Sequence, residues 1–167
     1  SEATRLEQML QTSEKEKIEL REVVDGSVEG YKLAYPLSNF EADLPKYPIY
    51  ITGVPEYIAQ LLDKLVANAV EFSHKDQPIK VYCRTLRDHA IVKVSNAGPF
   101  LPEEMKERIF DSMISVRSQE RQRQPHLGMG LHIARLITEF HGGQIRAENQ
   151  KDQEGVTITV VIPLYYD

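Results

Sequence analysis

The sequence predicts an α/β (α+β) two-layer sandwich, in which helices cover one face of a mixed, mainly antiparallel sheet. Short runs of alternating apolar and polar residues indicate strands that pair as hairpins. Residues 55–73 and 128–141 carry apolar side chains at helical spacing. Because helices alternate with hairpins and not with single strands, a mixed sheet is expected. With 167 residues, 41% of them apolar, the chain can bury one sizeable core and is too short for several domains.

Residues 1–16 are predicted to be the end of a helix from a preceding unit. Leu6, Met9 and Leu10 have helical spacing in an otherwise polar segment, so a helix over about residues 4–13 has an apolar stripe that needs a partner. Residues 17–167 are expected to form the single domain. The chain therefore looks like part of a longer protein.

The first half of the domain is predicted to contain short strands and one strong helix. Residues 18–20, 39–44 and 47–52 are strand candidates. Residues 23–31 have roughly helical spacing, which Gly26 and Gly30 weaken. Pro55 opens the strong helix, since proline is favoured in a first helical turn. Its apolar face consists of Ile58, Leu61, Leu62, Leu65, Val66, Ala69 and Phe72.

The second half is predicted to begin with an antiparallel hairpin over residues 79–86 and 90–95. A turn with Gly98, a short helix over about 102–109 and a mobile polar loop over 115–125 are expected to follow. A helix over 128–141 then ends at Gly142-Gly143, because glycine terminates helices well. Strands over 144–148 and 156–162 close the sheet.

Charge and cysteine content exclude some classes of function. The net charge is -5 and no basic stripe is present, so nucleic acid is not an expected partner. Cys83 is the only cysteine, which rules out a disulfide framework and a cysteine metal site and fits a reducing, cytoplasmic setting. Neither a membrane span nor a signal peptide is recognisable in the sequence.

A polar triad on the strong helix is a candidate magnesium site. Lys64, Asn68 and Glu71 are spaced at i, i+4 and i+7, so they share one face of the helix. A neutral amide oxygen there could complete a Mg²⁺ shell made mostly of phosphate oxygens and water. Taken alone, the triad fits an ordinary solvated helix face better.

The segment Gly128-Met129-Gly130 is a candidate phosphate site. It opens a helix directly after a polar segment, so free backbone N–H groups and the helix dipole could receive phosphates there. The glycines would let the phosphates approach the backbone closely. Taken alone, two glycines before a helix fit a structural turn better.

Four motifs in order resemble those of sensor histidine kinases. Residues 65–73 (LVANAVEFS) resemble the N box of that family, and residues 94–102 (VSNAGPFLP) resemble its first glycine box. Residues 109–112 (IFDS) look like its F box, and residues 126–134 (HLGMGLHIA) look like its second glycine box. The match extends over about residues 5–164, and the combination is far more specific than any single motif.

The resemblance implies a Bergerat-type ATP-binding fold, shared with gyrase, Hsp90 and MutL, with a mobile lid over ATP and Mg²⁺. By position, Asn68 is similar to the magnesium-binding asparagine, and Asn96 stands where an aspartate usually accepts a hydrogen bond from the adenine amino group. Gly98 would give the base room, and Arg117 could stabilise the γ-phosphoryl group in transfer, or be a solvated loop arginine. The implied catalytic set is Asn68, Lys64 and Arg117, and the implied ATP-binding set is Asn68, Glu71, Asn96, Gly98, Phe110 as lid anchor, His126, Leu127, Gly128, Met129, Gly130 and Leu131.

Departures from the family pattern put activity in question. Lys64 stands where these kinases usually carry asparagine and the related ATPases carry a glutamate that activates water, so efficient hydrolysis is disfavoured. Glu71 stands where a lysine is common; Lys64 could contact a phosphate and Glu71 could act on magnesium through water, or the two could be a surface pair. Phe100 and His126 replace glycines.

The phosphoacceptor histidine of this family is typically followed by an acidic residue. None of the five histidines here has one after it; they are His74, His89, His126, His132 and His141. The resemblance therefore implies an acceptor on a dimerisation helix outside the chain, with residues 1–16 as the truncated end of the second hairpin helix. It also implies a response regulator as partner and a homodimeric parent anchored in the bacterial inner membrane. His132 and His141 are interpreted as packing or capping residues.

Three functions remain open at this stage. The first is a histidine kinase ATP-binding domain, the second a gyrase- or Hsp90-type ATPase, and the third a non-catalytic nucleotide-binding or scaffold module. Residues 110–117 (FDSMISVR) with residues 125–128 (PHLG) also resemble a kinase subgroup linked to a proteobacterial sortase system.

Overall fold

A computed structural model describes residues 1–111 and 127–167, with residues 127–129 described by their backbone only. The helices of these ranges are α1 (Glu2–Thr12), α2 (Leu20–Ala34), α3 (Pro55–Phe72) and α4 (Leu127–Phe140). The strands are β1 (Glu16–Glu19), β2 (Phe40–Asp43), β3 (Tyr50–Gly53), β4 (Ile79–Leu86), β5 (His89–Ala97), β6 (Gln144–Asn149) and β7 (Gly155–Pro163).

The described strands form a five-stranded sheet in the order β2-β4-β5-β7-β6 and a separate pair of β1 with β3. In the larger sheet β2 runs parallel to β4, and the other neighbours are antiparallel. The prediction of a mixed, mainly antiparallel sheet is confirmed. Alternate residues of β4 and β5 are buried, because one face of these strands lies against the helices. Strands β2 and β3 follow each other in sequence but belong to different sheets.

Helix α2 is longer than the sequence predicted. The Glu19 carboxylate caps its start by accepting from the backbone N–H groups of Arg21 and Glu22. Gly26 and Gly30 lie on the exposed side, where an added Cβ would meet nothing within 4 Å. Their cost in helix propensity is therefore outweighed by the cap and by the buried face of α2, on which Val24 and Val28 lie.

The predicted short helix over residues 102–109 is wrong in type. Two 3₁₀ turns, Glu103–Met105 and Arg108–Phe110, occupy this stretch. The adjacent residues Ile109 and Phe110 are both buried, with 1% and 3% of their surface exposed. Met105 of the first turn is buried as well, so the stretch is held by side-chain contacts with the core and not by a continuous ladder of helical hydrogen bonds.

The core lies between the helices and the larger sheet. Leu65 and Val66 of α3 and Ile137 of α4 have no exposed surface, so the apolar faces predicted from helical spacing are the buried ones. Cys83 lies in β4, fully buried, and burial raises the pKa of its thiol to about 12.

Helix α1 packs against α4 through Ala3, Leu6 and Leu10. Of the predicted apolar stripe, Leu6 and Leu10 are thus covered within this chain, whereas Met9 is 50% exposed. At its start, Glu2 Oε2 lies 3.4 Å from Lys64 Nζ of α3. The assignment of residues 1–16 to a preceding helical hairpin stays a prediction. In the described ranges, no helix is long and apolar enough to cross a membrane.

Candidate functional site

One end of the candidate site is the C-terminal end of β5, where Asn96 lies. Its register partners are Ile79 on β4 and Val156 on β7. Asn96 is only 5% exposed and faces the helices, on the same side of the strand as Val92 and Val94. Its Nδ2 atom is buried and has no hydrogen-bond partner among the described residues. An unpaired amide between the sheet and the helices is unusual, because buried polar groups are nearly always bonded.

Gly98 follows two residues after Asn96, beside the end of α3. A Cβ at this position would lie 2.2 Å from the carbonyl oxygen of Phe72 and 3.0 Å from Asn96 Nδ2. The turn is held from the other side, since Gly98 N–H donates to the Glu154 carbonyl at 3.2 Å. Glycine is therefore required by the close approach to Phe72, and the role that the resemblance implied for it, room for the base, stays a prediction.

Asn149 of β6 fixes the rest of this turn. Its Oδ1 accepts from Leu101 N–H at 2.8 Å and its Nδ2 donates to Leu101 C=O at 2.9 Å. One side chain thus acts as a strand partner for the backbone beyond Gly98. Asn149 was not among the residues predicted for the site. It begins an ordinary polar segment and is far from Leu101 in sequence, so no local pattern distinguishes it.

The other end of the site lies between α3 and the start of α4. Lys64 Cδ lies 3.8 Å from the place that an added Cβ would take at Gly130. The face of α3 with the polar triad therefore lies opposite the first turn of α4. Asn68 is partly buried, and its Nδ2 atom is buried without a hydrogen-bond partner in residues 1–111 and 127–167. Glu71 is partly buried on the same face. The magnesium-binding role of the triad stays a prediction.

The predicted phosphate segment lies in the first turn of α4. Leu127, Gly128, Met129 and Gly130 are helical in their backbone, and the first N–H groups of a helix have no partner within it. Leu131, also in the predicted ATP-binding set, is 2% exposed and contributes to the core. Arg117 and His126 lie outside the described residues, so their predicted roles stay predictions.

Phe110 ends the second 3₁₀ turn and is 3% exposed. His132 of α4 donates through Nδ1 to the Phe110 carbonyl at 3.3 Å, and Arg135 pairs with Asp111 at 3.3 Å. These contacts hold residues 110 and 111 against α4. His132 is thus a buried packing residue, as predicted.

His141 connects the two helices of the site at their far end. Its Nδ1–H donates to the Ile137 carbonyl at 2.7 Å, and its Nε2 accepts from Val54 N–H at 3.1 Å. Val54 is the N-cap residue of α3, so the bond ties α4 to the start of α3. Burial lowers the pKa of His141, although the bond to Ile137 opposes this shift and nearby Lys15 adds to it. A neutral ring is required, because a protonated Nε2 could not accept from Val54.

Residues 53–166 match the family model described as histidine kinase-, DNA gyrase B-, and HSP90-like ATPase. The chain belongs to this family. As a member, it resembles the histidine kinase ArlS of Staphylococcus aureus, with 26% identity over 90% of the chain. It spans about a third of the length of the curated relatives it matches, since 33% of ArlS is covered.

Solved structures place this family member among histidine kinases. The catalytic domain of ThkA has a TM-score of 0.77 and 27% identity, covering 90% of this chain and 97% of that chain. Full-length ShkA in complex with AMPPNP has a TM-score of 0.72 and 16% identity, covering 92% of this chain and 32% of that chain, which shows a likeness of fold. The predicted family and the two-layer fold are confirmed. The resemblance to the sortase-linked subgroup stays a prediction.

Proposed function

We propose that this chain binds ATP with Mg²⁺ between α3, the turn after β5 and the first turn of α4, and transfers the γ-phosphoryl group to a histidine of the full-length protein. The observation that supports it most is the pair of unpaired amides of Asn68 and Asn96. Each buried donor without an acceptor costs about 1–3 kcal/mol. Two such groups, on different elements that converge near the end of α3, fit a site built for a polar ligand.

The residues fit a nucleotide with its base at Asn96 and Gly98 and its phosphates near Asn68 and Gly130. At Gly130 an added Cβ would lie 3.8 Å from Lys64 Cδ, an ordinary contact distance, so the backbone there is accessible to a ligand, and the first N–H groups of α4 can donate to phosphate oxygens. The likeness in fold to ShkA, whose structure holds AMPPNP, agrees with this arrangement.

Asn68 also fits a magnesium ion. Its Oδ1 can join a shell of phosphate oxygens and waters, while its unpaired Nδ2 can donate to a phosphate oxygen. Bound Mg²⁺ would neutralise charge on the phosphates. Glu71, on the same face of α3, is proposed to act on that ion through water.

Phosphoryl transfer requires little covalent chemistry from the chain. The acceptor imidazole attacks as its own nucleophile, the bond between the γ-phosphorus and the bridging oxygen breaks, and ADP leaves while the imidazole loses its proton. The chain positions the reactants and stabilises the spread charge. Lys64, which reaches the first turn of α4, and Arg117 are proposed to supply positive charge.

The position of Lys64 also separates transfer from hydrolysis. A carboxylate at this place could activate water, whereas an ammonium group cannot act as a general base while it is protonated. A gyrase- or Hsp90-type ATPase is therefore disfavoured. A nucleotide-binding module without catalysis is the second candidate, because Lys64 is engaged by Glu2 at 3.4 Å and Phe100 replaces a glycine.

The partners follow from the same proposal. The phosphoryl group would pass from the histidine-bearing dimerisation helix to an aspartate of a response regulator. The parent is proposed to be a homodimer, with this domain on the cytoplasmic side of a membrane to which the parent is anchored.

A calorimetric titration with AMPPNP, with and without Mg²⁺, tests the site. Asn68→Ala should weaken Mg²⁺-dependent binding by about tenfold or more, since a hydrogen bond to a charged group contributes about 1.5–3 kcal/mol. Asn39→Ala, at an exposed asparagine, is the matched control and should bind normally.

Absence of binding in both conditions would reject the nucleotide site. Where binding is found, the full-length protein separates the remaining functions. Labelled phosphoryl on histidine supports the kinase, steady phosphate release without it supports an ATPase, and neither supports the non-catalytic module.

A further inference from the structure

We infer that Asn96 makes this site tolerant of the base, so that it holds 6-oxopurine nucleoside triphosphates, those of inosine and guanosine, as well as ATP. The inference rests on the proposed nucleotide site and adds the class of base that it accepts. Asn96 would then be the residue that sets base specificity.

The geometry of Asn96 carries this inference. Asn96 as a whole is only 5% exposed. Its Nδ2 lies beside Gly98, 3.0 Å from the place of the missing Cβ, so a larger residue at position 98 would press on this amide. Among the described residues this donor has no acceptor, so the site offers a buried N–H group as well as a carbonyl oxygen.

The purine edge can meet such an amide in two ways. Adenine presents a 6-amino donor and the N1 acceptor, which match Oδ1 and Nδ2 of an amide. A 6-oxopurine presents an O6 acceptor and an N1–H donor, which match Nδ2 and Oδ1 once the amide is turned by 180°. An asparagine therefore satisfies both edges with two hydrogen bonds each. A carboxylate has only acceptors, so it would match the amino group and repel O6.

The amide must be free to turn for this to hold, and the two asparagines near this turn differ in that respect. Both Oδ1 and Nδ2 of Asn149 are held by Leu101, which fixes the orientation of that amide. The Nδ2 of Asn96 has no such bond. Turning the Asn96 amide would therefore break no hydrogen bond of Nδ2, and the ligand can select the orientation.

The test compares the β,γ-imido triphosphates of adenosine, inosine and guanosine by calorimetry with Mg²⁺. The unaltered chain should bind the inosine and adenosine compounds within about fivefold of each other, since both make two hydrogen bonds to one amide. Asn96→Asp should bind the adenosine compound at least about tenfold more tightly than the inosine compound, because O6 then faces an acceptor. Asn39→Asp brings the same change of charge at an exposed residue and should leave the ratio unchanged.

The outcomes separate this inference from the proposed function. If no nucleotide binds, the nucleotide site itself is rejected. If the adenosine compound binds and the inosine compound is at least about fiftyfold weaker in the unaltered chain, a gap of about 2.3 kcal/mol, base tolerance is overturned and the site stands. This comparison needs no variant, so it holds even if Asn96→Asp fails to fold.

The guanosine compound tests a separate contact. Binding of the inosine compound without the guanosine compound would overturn the inference for guanosine, because the 2-amino group is then excluded, and would keep it for inosine. Asn96→Ser provides a second check, because a hydroxyl also donates and accepts. Its ratio of inosine to adenosine affinity should stay near that of the unaltered chain, and a ratio as low as that of Asn96→Asp would contradict the inference.

Discussion

The two ends of the proposed nucleotide site are built differently. At the base end, the backbone is fixed by the sheet and its contacts: at Asn96 by its register, at Gly98 by contact with Phe72, and at Leu101 by Asn149. At the phosphate end, long side chains meet a helix terminus, and Lys64 is joined to an exposed Glu2. The base end is therefore preformed, whereas the phosphate end can adjust to its ligand. Changes at the base end should alter stability and binding together, and changes at the phosphate end should alter binding alone.

Gly98→Ala is expected to have the largest effect. Its Cβ would lie 2.2 Å from the Phe72 carbonyl oxygen, and relief requires the β5 turn or the end of α3 to move. We expect a loss of about 3 kcal/mol in the free energy of unfolding, as in overpacked cores, together with loss of nucleotide binding. Urea unfolding and calorimetry measure the two. Gly26→Ala, where a Cβ meets nothing, should keep or raise stability; equal losses in both variants would show that the base end is not preformed.

His141→Leu tests the bond that ties α4 to the start of α3, outside the two ends of the site. The variant removes the acceptor for Val54 N–H, and we expect a cost of about 2 kcal/mol in the free energy of unfolding, because a buried donor is left unpaired. His89→Leu, at a half-exposed histidine at the start of β5, is the control and should cost little.

The pH dependence of His141 follows from its lowered pKa. The unfolded chain takes up a proton at a pKa of about 6.5, before the folded chain does. The stability that the neutral ring contributes is therefore complete above that pH and is lost as the pH falls below it, toward the lower pKa of the folded chain. Between pH 7 and 5 the stability gap between the unaltered chain and His141→Leu should narrow; a constant gap would contradict a neutral, buried His141.

Asn149→Ala should have an intermediate effect at the base end. It removes both hydrogen bonds to Leu101 at once, with an expected cost of about 1–2 kcal/mol in the free energy of unfolding. Nucleotide affinity should fall about threefold, and its Mg²⁺ dependence should stay the same. Asn39→Ala is the matched control. A change in Mg²⁺ dependence would mean that the two ends are not separable.

Glu2→Gln should have the smallest effect, and one of opposite sign. Freed from Glu2, Lys64 Nζ is available for phosphate, so AMPPNP affinity should rise about two- to threefold at low salt, within the range of exposed ion pairs of 0.2–1 kcal/mol. The gain should vanish near 0.5 M salt because of screening, with a Debye length of about 4 Å. Glu7→Gln, an exposed change on the same helix, should leave affinity unchanged. Weaker binding in Glu2→Gln would show that Lys64 does not serve the phosphates.

The fold was largely predictable from the sequence, because its strands and helices follow apolar periodicity closely. The two helices predicted most strongly, α3 and α4, are present with nearly the predicted bounds. The 3₁₀ turns were not predictable, since the need to bury both Ile109 and Phe110 arises only from tertiary packing. The pairing of β3 with β1, and not with β2, likewise depends on contacts between distant residues.

The site was predictable as a set of residues but not as a geometry. Motif order brought Asn68, Asn96, Gly98 and Gly130 into one site, and the structure gives close contacts for Gly98 and Gly130. The unpaired state of the two amides, the clamp by Asn149 and the bond from Val54 to His141 depend on residues far apart in sequence. No local pattern encodes such contacts, because each partner is an ordinary residue in its own segment.

The burial of Cys83 has a practical consequence for chemical labelling. The thiolate is the reactive form of cysteine, and a fully buried thiol with a pKa of about 12 neither ionises nor meets reagent in the native state. Because it is the only cysteine of the chain, alkylation can occur only through opening of the sheet at the interior strand β4. Its rate at neutral pH therefore reports how often the sheet opens, without denaturant and without any introduced probe.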